Sequence, residues 1–137
     1  VLVDTIPFYD PKYAVMLLYA TDKCLVPLRP ALIDVYRTVM MLRKLPLMAR
    51  MREEEVYSRV GLVFNMVKTG TIHYRQMPKY AEELLNVSPH LHVFDAYIPH
   101  RVSFSRVGTE EERPEDRATV EKAFSQFFQE FKRWVGV

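Results

Sequence analysis

Arg50-Met51-Arg52-Glu53-Glu54-Glu55-Val56-Tyr57-Ser58-Arg59-Val60-Gly61-Leu62-Val63-Phe64-Asn65-Met66-Val67-Lys68 is the stretch on which the fold assignment turns. Acids cluster near its start, and Lys68 with Gly70 marks a stop, a charge order that suits the two ends of a helix dipole. Between them Val60–Val67 is apolar on nearly every side apart from Asn65. The reading is a helix from Leu47 or Met51 to Lys68, the most buried one in the chain.

Working outward, Leu32, Val35, Tyr36, Val39, Met40 and Leu42 follow the three-and-four spacing of a buried stripe and predict a helix from Ala31 to Lys44. Leu45-Pro46 ends it, because a residue before proline avoids the α region. Downstream, Thr69–Gln76 reads as a turn. Met77-Pro78 opens a short helix to Leu85, which Asn86–Pro89 stops. On the amino-terminal side, Val1–Tyr9 reads as an extended arm. Asp10-Pro11 caps and starts a largely apolar helix, Pro11–Ala20, and Asp22–Pro30 is a proline-broken connector. Such a helix, apolar around most of its circumference, needs a partner surface.

Residues His90–Arg106 carry β-branched and aromatic side chains and read as extended chain, a short strand that pairs with a partner. Gly108–Arg113 is a charged linker. The last helix starts at Pro114-Glu115-Asp116, and Phe124, Phe127, Phe128, Phe131 and Trp134 form its apolar face. That aromatic stripe must meet either this core or a neighbouring subunit.

The 137 residues hold only four glycines against nine prolines, too few for a sheet of hairpins that needs positive φ at many turns. The expected fold is therefore all-α: a small non-bundle helical domain with an extended arm and proline-rich connectors. The expected division is a docking domain over residues 1–106 and a charged linker with an amphipathic helix over 107–137. With 49% hydrophobic residues the chain can bury a core, and at +2 it has no nucleic-acid footprint. The lone Cys24 excludes an internal disulfide. No run is long and apolar enough to span a bilayer, and the start lacks a signal-peptide pattern.

No catalytic constellation stands out. His90 and His92 form an H-x-H pair near Asp95, but no further ligands complete a metal site. Nucleophile elbow, zinc-protease, phosphate-loop and dinucleotide motifs are absent, so neither a cofactor nor a reaction is implied. Arg43, Lys44, Arg50 and Arg52 lie within ten residues free of acids. They could meet anionic lipid headgroups or an acidic partner; a solvated helix junction is the plain alternative.

Leu42-Arg43-Lys44-Leu45-Pro46, Lys79-Tyr80, Glu82-Glu83 and Pro89-x-Leu91 together resemble subunit 7 of mitochondrial ubiquinol–cytochrome c reductase, the cytochrome b-binding or ubiquinone-binding protein of respiratory complex III. The resemblance covers roughly residues 12–91. Ile72-His73 stands where that family usually has Leu-Pro, Met77 where it has tryptophan, and a tail follows from His92. The resemblance implies a helical, non-catalytic accessory subunit, peripheral on the matrix side of the mitochondrial inner membrane. It would contact cytochrome b and the core subunits and support assembly. Arg43, Lys44, Arg50, Arg52 and Arg59 would make polar contacts there, and the aromatic helix would be an added anchor. Val35-Tyr36-Arg37 with Phe64 also resembles a variant LYR motif, which implies an accessory protein that binds acyl carrier protein. A mitochondrial ribosomal protein is a third expectation.

Overall fold

A computed structural model describes residues 1–5 and 10–137. Residues 6–9 of the expected arm lie outside the described residues; Val1–Thr5 form no regular element and are exposed. Along the chain run α1 (Pro11–Ala20), β1 (Cys24–Leu28), α2 (Leu32–Ala49), α3 (Glu53–Tyr57), β2 (Val60–Phe64), α4 (Ile72–Leu85), β3 (His92–Val93), α5 (Val102–Arg106) and α6 (Asp116–Val135). The strands form a parallel sheet in the order β1-β2-β3. The protein is mixed α/β, and the all-α expectation is overturned.

The decisive stretch is a short helix followed by a strand. Val60–Phe64 is buried at every position. Val60, Leu62 and Phe64 join the larger core beneath α1, α2 and α4, whereas Val63 faces the aromatic cluster under α6. A parallel strand covered on both faces is apolar throughout, the same one-letter pattern as a buried helix. Burying these four side chains contributes roughly 6–12 kcal/mol gross at about 1.5–3 each. The Asp22–Pro30 connector likewise contains β1, at the sheet edge among the described residues. In a parallel ladder alternate residues turn their amides toward each neighbour, so Pro27, between the β2-facing Val26 and Leu28, withholds its missing donor from the outer edge only.

Two interior prolines reset the helix boundaries. α2 continues through Pro46 to Ala49, with Arg50 in the left-handed region at φ 52°. Pro46 has no N–H for the Leu42 carbonyl one turn back. The Tyr57 hydroxyl donates to that carbonyl instead, at 2.9 Å. Tyr57→Phe should lower stability by about 1–2 kcal/mol, read as a urea midpoint shift at unchanged slope, because a buried acceptor is left unmet. α4 starts at Ile72, where Thr71 caps the Tyr74 amide, and runs through Pro78; the turn expected over Thr69–Gln76 is mostly helix.

α2 and α4 pack together on one face, as successive right-handed crossovers in one direction require. α6 covers the other face. The expected partner strand within His90–Arg106 is β3, paired with β2 of this same sheet, and Val102–Arg106 is helical. The buried stripe expected for α2 is also displaced: Leu32, Tyr36 and Met40 are exposed, and Val35, Thr38, Met41, Leu42, Leu45 and Ala49 face inward.

Asp116 anchors the start of α6. Its carboxylate, 0% exposed, accepts both Nε and a terminal nitrogen of Arg106 at 3.0 and 2.8 Å and the Arg113 amide at 2.8 Å. The Arg106 guanidinium foremost holds its pKa at about 2, below the usual 3.8. A depressed carboxylate stabilises the fold above its unfolded pKa, and that contribution disappears as pH falls through the folded value. Stability should therefore drop on acidification between about pH 4 and 2. Asp116→Asn should flatten that limb of a denaturation-against-pH curve.

Candidate functional site

In a parallel sheet all strand ends of one kind lie on one edge, and ligands of open α/β folds bind outside the carboxyl edge. Here three stretches leave that edge: residues 29–31, 65–71 and 94–101. They hold Arg29, Lys68, His100 and Arg101 against one acid, Asp95. The backbone joins them: the Asn65 amide donates to Leu28 O at 2.8 Å, and the His100 amide donates to Val67 O at 2.8 Å. Val67 and Pro99 pair as an isolated parallel bridge, which holds Lys68 beside His100 and Arg101.

Two helices begin at the same edge. α4 has its Thr71 cap; α2 starts after Ala31 with no side-chain cap, and Asp34 in its first turn pairs with Arg29 at 2.8 Å. Their amide ends add partial positive charge to the rim. At the end of the central strand stands Asn65, half-buried. Its Oδ1 accepts the Met66 amide at 2.8 Å, which fixes the carboxamide plane. Met66 takes φ 55°, a left-handed conformation that costs a non-glycine residue energy. The result is a basic rim around a fixed amide, flanked by the exposed Met66 and the half-buried Ile98 and Pro99.

The residues singled out from sequence lie elsewhere. Arg43 and Lys44 are exposed on the second half of α2, Arg50 ends that helix and Arg52 precedes α3. Arg59 precedes β2, pairs with Glu55 at 3.0 Å and donates to Leu18 O at 3.2 Å. These basic groups occupy the amino edge, opposite the carboxyl rim. Phe127 is buried within this chain's own second core, Phe124, Phe131 and Trp134 are half-buried against it, and Phe128 is exposed.

His90 and His92 do not converge on a metal: among the described residues no group of three or more histidine, cysteine or acidic side chains is arranged to hold one. His92 stacks on Trp134 and meets Glu130 at 3.1 Å; the Glu130 carboxylate also accepts the Asp95 and Ala96 amides at 3.0 and 2.9 Å. No described helix is long and apolar enough to cross a membrane.

Sequence reasoning missed Arg29, Asn65, Lys68, His100 and Arg101. The available signal was a pair of short β-branched runs, each giving way abruptly to polar or basic residues, Leu28-Arg29-Pro30 and Phe64-Asn65. No protein-family model, curated protein or solved structure matches the chain.

Proposed function

We propose that the carboxyl edge of the sheet is a nucleotide site. The observation that carries this reading is the placement of Lys68, His100 and Arg101, with Arg29 paired to Asp34 beside them, on a rim that also receives two helix amino ends. Such a rim suits phosphate oxygens. Asn65 supplies what phosphate alone would not need: a carboxamide, a group whose donor and acceptor match the N6 and N7 edge of adenine. Met66 and Ile98 offer apolar contact to a ring.

These residues contain no glycine-rich phosphate loop. In doubly wound folds the ligand sits where strand order reverses. Among the described residues the order β1-β2-β3 shows no such reversal, and the carboxyl rim alone supports the site.

Titration calorimetry of the protein bearing this chain with ATP, ADP and pyrophosphate, with and without Mg²⁺, tests the reading. Saturable nucleotide binding that weakens with added salt is expected. Absence of heat for every nucleoside phosphate at millimolar concentration defeats it.

The accessory-subunit reading stands as a second proposal. The observation in its favour is the oily outer surface of α1 and α2, where Met16, Tyr19, Leu32, Ile33, Tyr36 and Leu47 are exposed. Co-purification with cytochrome b and loss of the assembled cytochrome b–c1 complex on depletion are its expected results.

A further inference from the structure

α2 is apolar on two opposite sides. At 100° per residue its inward positions Asp34, Val35, Thr38, Met41, Leu42, Leu45 and Ala49 span one side. Opposite them, Ile33, Tyr36, Arg37, Met40, Lys44 and Leu47 fall within an arc of about 100°. All six are exposed. A solvated helix face is ordinarily polar; this one carries four large apolar groups.

The middle of this face is concave. α1 packs along α2, with the Tyr19 hydroxyl donating to Ala49 O. Pro11, Tyr36, Arg37, Met40, Met41 and Lys44 line a groove of about 470 Å³ where α1 begins. The charge on this surface is mainly basic, with Asp10 at the cap of α1 an acid beside it. Arg37, Arg43 and Lys44 belong to α2 and Lys12 to α1, whereas the single acid of α2, Asp34, is buried and paired with Arg29.

We infer that this stripe is a docking groove for an amphipathic helix of a partner protein whose apolar seam is flanked by acidic residues. An apolar floor at Ile33, Tyr36, Met40 and Leu47 spans nearly four turns, the spacing at which a bound helix sets its i, i+4 and i+7 anchors. Lys44 in the stripe, with Arg43 and Lys12 beside it, favours glutamate or aspartate beside that seam and opposes a basic one. The surface lies on the outer side of α2, so its occupancy is separate from ligand binding at the carboxyl edge.

The test is fluorescence anisotropy with a labelled helical peptide of about 18 residues, a leucine seam bordered by glutamates, and a twin bordered by lysines. The acidic peptide should bind saturably and the basic twin at least about tenfold more weakly. Tyr36→Glu and Met40→Glu, both at solvent positions, should each weaken the acidic peptide about tenfold or more while circular dichroism stays unchanged. Amide chemical-shift changes in the parent protein should concentrate on Ile33–Leu47, a readout that needs no variant. Equal affinity for both peptides overturns the inference. So does self-association removed by Tyr36→Glu, or binding of phosphatidylserine-containing vesicles through these residues in place of the peptide.

Discussion

Gly61→Val unfolds at a lower urea concentration than the parent, by the equivalent of about 1–3 kcal/mol, the usual cost of forcing extra carbons into a packed core. A Cβ at this position would stand 2.8 Å from Trp134 Cη2 and 2.9 Å from both Phe94 Cε2 and Trp134 Cζ2. Neither ring has an easy retreat. Trp134 stacks on His92 with centroids 5.8 Å apart and meets Phe94 edge-on at 5.5 Å, and Phe94 in turn packs on Phe127 at 5.4 Å. The added carbons therefore push α6 away from β2. Their effect should appear as a lower urea midpoint together with a changed tryptophan emission. In Trp134→Ala the same substitution should cost markedly less, since the largest obstacle has gone. Equal costs in both backgrounds would mean that α6 does not pack on Gly61.

That close approach explains why the central stretch misled. Val60–Val67 was apolar on every side for a reason other than a buried helix: helices cover both faces of a five-residue strand. Periodicity carries no information when there is no solvent face. The glycine count misled in a related way, because parallel strands joined through helices need no tight hairpins. Four glycines argue against a meander and say nothing about βαβ units. Pro46 reads as a boundary because its rescue, by Tyr57 at Leu42 O, is a tertiary contact.

Local chemistry fared better. Asp10 accepts the Lys12 amide at 2.9 Å and Pro11 opens α1, so the predicted span Pro11–Ala20 is the observed one. The α6 aromatics followed the helical period and bury against the sheet. Both signals lie within a few turns of chain. The carboxyl rim is different in kind: Arg29, Lys68 and Arg101 are separated by more than thirty residues each and meet only because three strands run parallel in one order. Apart from the apolar run that breaks off at Arg29, nothing in their immediate neighbourhoods marks them.

Reversing charge at that rim, as Lys68→Glu with Arg101→Glu, should lower affinity for ATP about a hundredfold or more in the protein bearing this chain. Each charged hydrogen bond to a phosphate contributes about 1.5–3 kcal/mol, or roughly tenfold to a hundredfold, and the introduced acids add repulsion. Both side chains are exposed, so the fold should persist with an unchanged urea midpoint. Lys122→Glu, exposed on α6, reverses one charge away from the rim and should leave affinity within about twofold once salt is near physiological. Asn65→Ala separates the two halves of the ligand. It should weaken ATP about tenfold and leave pyrophosphate unaffected, because the carboxamide addresses the ring and the cations address the phosphates. Were pyrophosphate to weaken in step with ATP, Asn65 would be a phosphate contact or a fold determinant. Were the double reversal to leave ATP affinity intact, the nucleotide would not sit on this edge.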